Sequence, residues 1–330
     1  GIAHMWHMPG HIYSRLKRYG DAAWQQEASA RVDHSHMIRT RLMPDQIHNF
    51  AHNNEWLTRN LIFIGRVQDA LDLSRNLVSL PRHPQYNMLS KRGSFKYGRQ
   101  RLLQTLSQYG LWEELIKEAG GSYLPPTADG LQQEEWLGWL AVAQFMTGES
   151  KQGAKTLRSL QRRRLALQTK MLDLVEEEAA GDDVVAADDS DAGDTEQETE
   201  KPAESREELK KHISQLRPII ARGAAAAATK RKNVEALKRH ISTAKLDTVL
   251  QAQWLADAGD VDAAIKIAEK AVKDGQSQVR PLAVLTDLLW RNENKEEAKK
   301  RFQKLRKVAA VADLDTPMLA KLLPVAKAAK

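Results

Sequence analysis

The chain has 330 residues, of which 42% are hydrophobic and 28% charged, and it contains no cysteine. The length suggests about two domains of ~150 residues. Without cysteine, disulfides, thiolate metal sites and thiol catalysis are excluded within the chain, and no apolar run approaches the ~18 residues that span a bilayer.

Charge is uneven. The net value is +7, yet residues 182–204 hold six Asp, four Glu and one Lys, which leaves +16 on the rest. A basic body with an acidic tether can bind nucleic acid or can screen itself. Apolar residues recur at three- and four-residue spacing nearly throughout, with no strand-like alternation, so an all-α chain is expected. It opens on Gly1 in what reads as helix interior. We therefore expect a piece of a longer protein, soluble as far as it goes, with the compartment open between cytoplasm and periplasm.

In chain order, helix pairs should turn at Gly65, Gly110 and Gly148, with Pro81 closing the second pair. The segment from Leu160 to Leu174 reads as a long helix carrying a heptad-like stripe of Leu160, Leu167, Met171 and Leu174. Residues 179–205 are poor in aromatics and rich in Asp, Glu, Ala, Ser and Thr, and are expected to be disordered. Helix should resume near Arg206, and Pro218 should kink or end it. The helices on either side of the acidic stretch could pair as a hairpin. Near the C-terminus, helix, turn at Ala258-Gly259-Asp260, and helix recur on a 34-residue shift. Ala264 maps to Ala298, Ala268 to Phe302, Ala271 to Leu305, and Leu255 to Leu289. A last unpaired helix with Leu319, Ala320 and Leu323 should open at Asp315-Thr316-Pro317. The expected units are an N-terminal array over 1–178, an acidic linker over 179–205, connecting helices over 206–245 and C-terminal repeats over 246–330. The Trp residues at 24, 56, 112, 136, 139, 254 and 290 are expected as core fillers.

A 34-residue helix–turn–helix period resembles the tetratricopeptide repeat, whose stacked pairs form a solenoid. In the N-terminal half Trp6, Gly10, Tyr13, Tyr19, Ala22 and Asp33 fall at that family's spacing, although the first two units are 48 residues apart. The run His7-Met8-Pro9-Gly10-His11-Ile12, followed by Arg15-Leu16 and Tyr19-Gly20-Asp21-Ala22, is similar to a bacterial subfamily with a His-Met-Pro-small-His-Ile motif. Some large members of that group join such repeats to a downstream redoxin (thioredoxin-fold) domain, none of which is visible here. The narrow resemblance covers about the first 80 residues and implies no particular reaction.

Seven of the ten histidines occur by residue 52. His4, His7 and His11 share one helical face, and His48 and His52 form an i, i+4 pair. The resemblance places His4, His7, His11 and His52 on the inner faces of adjacent repeats, with Glu55, Arg59, Gln100 and Gln104 as further groove-lining groups. Imidazoles from neighbouring helices, His48 included, could converge on one zinc, copper, nickel or iron ion. The bland alternative is a polar groove that donates hydrogen bonds to a peptide. Pro9 would break the stripe if the helix began there. No Glu stands beside a His pair in the metalloprotease arrangement. Arg162-Arg163-Arg164 and Lys230-Arg231-Lys232 could touch phosphates, but residues 146–253 lack any aromatic for base stacking, so nucleic acid is not expected as a partner.

The leading expectation is a non-catalytic scaffold that binds a peptide or protein in a His- and Arg-lined groove, with the acidic tether letting the C-terminal repeats reorient. The alternatives are a transition-metal module at the His cluster, or the regulatory repeat arm of a larger redoxin enzyme.

Overall fold

The computed structural model describes residues 2–83, 85–89, 91–128, 130–181 and 205–329; for His48 and residues 177–181 it describes the backbone alone. Among these residues there are sixteen helices and no strand. They are α1 (His4–Arg15), α2 (Tyr19–Thr40), α3 (His48–Ile64), α4 (Val67–Ser79), α5 (Ser94–Tyr109), α6 (Trp112–Ala119), α7 (Gly130–Met146) and α8 (Ser150–Gly181), then α9 (Arg206–Lys230), α10 (Val234–Ala244), α11 (Thr248–Ala258), α12 (Val261–Asp274), α13 (Val279–Arg291), α14 (Lys295–Val308), α15 (Pro317–Ala320) and α16 (Leu323–Ala328). None is long and apolar enough to cross a membrane. Most of the expected disordered linker, residues 182–204, lies outside the described residues.

The helices stack as seven antiparallel pairs, each packed on the next, and the first helix of a pair generally packs on the first helix of the following pair. Tight turns join four pairs at Gly65, Gly110, Gly148 and Gly259, where positive φ angles of 80°, 67°, 94° and 110° suit a residue without a Cβ. The 34-residue shift is followed in the packing: Ala264, Ala268, Ala271, Ala298, Leu305, Leu255 and Leu289 are buried, and Phe302, the counterpart of Ala268, is partly buried against the same core. Small side chains on α12 let it approach α11 and α13 closely.

Several local expectations change. Helix α1 starts at His4 and runs through Pro9, so the His stripe is unbroken. Pro218 does not end α9, which continues to Lys230. The expected last helix is two short ones, because Pro324 near the start of α16 has no N–H with which to continue the helix before it. Trp254 and Trp136 fill the core, but Trp24 is 59% exposed and meets Trp6 edge-on at 5.6 Å outside it.

The hairpin is present. Leu160 of α8 packs with Leu216, Ile219 and Ile220 of α9. Glu134 of α7 lies buried beneath them, accepting from Arg163 Nε of α8 at 2.9 Å and bonded to His212 Nε2 of α9 at 2.6 Å. Through α9 and α10 the stack passes into the C-terminal pairs, which curve back onto the N-terminal ones. Asp313 N donates to the Gly65 carbonyl at 2.9 Å, and Gln68 N donates to Asp313 Oδ2 at 2.8 Å. Arg280 Nε of α13 donates to the Gln108 carbonyl at 2.9 Å. A long tether suggests freedom to reorient; these contacts instead seat the C-terminal repeats against the N-terminal array.

Candidate metal centre

Helix α2 sets the geometry of the site. Its buried face carries Gln26, Ser29 and Asp33 at i, i+3 and i+7, all polar. Ser29 Oγ donates to the Ala3 carbonyl at 2.8 Å and Gln26 Nε2 to the His7 carbonyl at 3.3 Å, which fixes α1. Asp33 Oδ2 accepts from Asn53 Nδ2 at 2.7 Å, which fixes α3 next to His52. Burial pushes the Asp33 carboxyl up, and the Asn53 bond and the nearby His36 and His7 oppose that.

Three imidazoles meet between these helices. One ring nitrogen each from His7, His11 and His52 lies within 4.8 Å of the other two. Ring centroids are 4.2 Å apart for His7 and His11, 5.0 Å for His7 and His52, and 5.8 Å for His11 and His52. His7 is only 7% exposed. Its Nδ1 lies 3.2 Å from Gln26 Oε1. An amide oxygen only accepts, so the proton sits on Nδ1 and the Nε2 lone pair points into the cluster. There Nε2 accepts from His11 Nε2 at 2.7 Å. Burial drives the His11 pKa down to about 4, helped by His7, His52 and Arg15 and opposed by Glu55. His11 is therefore neutral near pH 7 with little competition from protons. Trp56 forms an apolar wall, its ring 4.2 Å from His11.

Other expected residues sit differently. His4 is exposed and stacks on His7 at 5.9 Å without joining the cluster. The His48 side chain lies outside the described residues. Glu55 is held by Arg101, which also grips Gln104 Oε1. Arg59 lies 4.7 Å over Trp56 and 5.6 Å from Phe63, where burial lowers its pKa. Gln100 and Gln104 line a cleft of about 570 Å3 on the inner side of the stack, with Gln108, Gln132, Gln215 and the Glu135–Arg222 pair. One expected groove is thus two places, a His cluster and an amide-rich cleft.

Sequence reasoning missed Gln26 and the part played by Gly10. A Cβ on Gly10 would lie 2.4 Å from Gln26 Nε2, so the glycine of the His-Met-Pro-Gly-His run is what lets Gln26 reach His7. A buried glutamine gives no periodic signal that separates it from a solvated one. Neither a scan of family models nor a search of curated proteins matches this chain.

Proposed function

We propose that this protein is a helical-repeat module that binds a transition-metal ion through His7, His11 and His52. One observation carries the reading: three neutral-capable imidazoles converge while Gln26 orients the innermost of them. A ligating imidazole characteristically donates its other N–H to an oxygen behind it, and His7 is arranged that way. Tetrahedral bonds of ~2.05 Å require nitrogens about 3.3 Å apart. The 2.7 Å His7–His11 contact must open slightly as the His11 proton passes from Nε2 to Nδ1, and the wider separation close, within the reach of side-chain rotation. Three nitrogens leave a position for water or a partner's ligand, and imidazole suits zinc, copper, nickel or iron. The untagged protein, titrated with Co2+ or Zn2+, should take up about one equivalent, and His52→Ala should weaken uptake roughly 10- to 100-fold. Uptake below about a tenth of an equivalent would remove this reading.

A second reading follows from the inner cleft. The scaffold role, in the manner of tetratricopeptide repeats, is supported by its five glutamines and by Gln108 Oε1, which is buried without a partner. Amide side chains both donate and accept, so they match the main chain of an extended peptide. Pull-downs from host cells should recover polypeptides that Gln104→Arg fails to retain. Equal recovery by both forms, at low and high salt, would exclude the cleft.

A further inference from the structure

Between Asp72 and Glu113 the chain has no acidic residue, yet it has seven Lys and Arg. Two of these are matched elsewhere: Arg75 pairs with Glu114 and Glu118, and Arg101 with Glu55. Arg99 is not. It lies on α5 with 2% of its surface exposed, and its Nη1 is buried without a hydrogen-bond partner. A buried guanidinium with no counter-charge has lost its hydration without an ion pair to replace it. Arg82 makes the imbalance worse. Its guanidinium carbon lies 3.5 Å from the centre of the Phe95 ring, and that of Arg99 lies 5.7 Å from the same ring. Burial and then Arg82 bring the Arg99 pKa down to about 10, so it remains charged near neutrality.

The surroundings supply donors and withhold acceptors. Asn87 Oδ1 accepts from Phe95 N at 2.9 Å, and its Nδ2 is buried without a partner. The acidic residue at this end of α5 is Asp45. Its Oδ1 is taken by the backbone N–H and the hydroxyl of Ser94, at 2.8 and 2.9 Å, although its Oδ2 is unpaired. Neither of its oxygens is bonded to Arg99. Two guanidinium groups thus lie against one aromatic ring, a buried amide donor hangs from the same residue's backbone, and among the described residues no anion is bonded to any of the three.

We propose that Arg82, Asn87 and Arg99 form an oxyanion site around Phe95 that takes a phosphate group, free or on a phosphorylated segment. Two guanidinium groups and an amide N–H offer more donors than the two oxygens of one carboxylate readily fill, which favours a phosphate dianion. Arg82 is exposed and can swing to admit the ion, whereas Arg99 is buried and gives fixed charge. The site is independent of the His cluster.

Calorimetric titration of the whole chain tests this, in chloride buffer of matched ionic strength with a chelator to silence any metal. The probes are inorganic phosphate, a phosphoserine peptide, and the same peptide with Glu for phosphoserine. Saturable one-to-one binding of phosphate or phosphopeptide is expected. Arg82→Gln, at an exposed position, should weaken it roughly tenfold or more, the loss of a charge-assisted bond, and Arg158→Gln on α8 should leave it unchanged. Arg99→Met should abolish it, with Arg82→Gln carrying the test if that protein does not fold. Equal affinity for both phosphate probes assigns the free ion, and a tighter phosphopeptide assigns a modified segment. No saturable heat, an unaffected Arg82→Gln, or equal binding of the Glu peptide would overturn the proposal.

Discussion

Gly10 shows how one missing methyl group shapes the candidate metal site. Alanine is preferred to glycine inside a helix by about 1 kcal/mol, so Gly10→Ala should stabilise α1 if nothing opposed it. The added Cβ would meet Gln26 Nε2 at 2.4 Å and Cδ at 2.8 Å. Gln26 is fully buried and bonded to both His7 Nδ1 and the His7 carbonyl, so it has little room to retreat. Overpacking of this kind costs about 1–3 kcal/mol. We expect a net loss of about 0–2 kcal/mol in urea unfolding, together with a roughly 10- to 100-fold drop in metal affinity as the His7 tautomer loses its anchor. A stabilised variant with unchanged affinity would show that Gln26 is a bystander. Of this site, the helical stripe of His7 and His11 was legible, because spacing alone puts them on one face. His52 joined them through the family resemblance. Gln26 was not legible, since its partner lies nineteen residues away and no local pattern marks it.

Among the helices, local chemistry predicts starts and stops better than it predicts company. The start at Arg206 is a capping box: Ser205 Oγ accepts from Glu208 N, and Glu208 Oε2 accepts from Ser205 N at 2.9 Å. Those bonds hold the Glu208 carboxyl below its ordinary range. Asn233, Asp247 and Asp260 cap the next three helices with the first half of that arrangement alone, each side chain accepting from a first-turn N–H. Each signal lies within four residues of the end it controls, so the sequence carries it openly. The company of α9 is another matter. Residues 206–245 read as a connection, yet α9 and α10 form a pair like the others, with α9 packed on α7, α8 and α11. The contact is secured by Glu134, which joins Arg163 and His212 from two other helices. Leu216, Ile219 and the alanines 225–228 are buried there. A run of alanines looks like low complexity in isolation, and only the close approach of neighbouring helices gives it a purpose.

At the scale of the whole molecule, curvature brings the second pair and the seventh together, and Gly65 is where they touch. A Cβ there would lie 2.7 Å from Ala312 Cβ and 3.2 Å from a Val279 methyl, and the residue sits at φ +80°. Gly148 offers the matched control, since its φ is +94° and nothing lies within 4 Å of its Cβ position. Alanine at either position meets the left-handed backbone penalty of about 1–2 kcal/mol. Only at Gly65 does it also push Ala312 and Val279 away and disturb the bonds from Asp313 N to the Gly65 carbonyl and from Gln68 N to Asp313 Oδ2. Gly65→Ala should therefore cost about 1–3 kcal/mol more than Gly148→Ala in urea unfolding. Hydrogen exchange should quicken in α13 to α16 for Gly65→Ala alone, because those helices lose their seat while the stack behind them stays intact. Equal exchange in the two variants would mean that the C-terminal pairs are held by their neighbours in the stack, and that closure onto the second pair adds nothing to their stability.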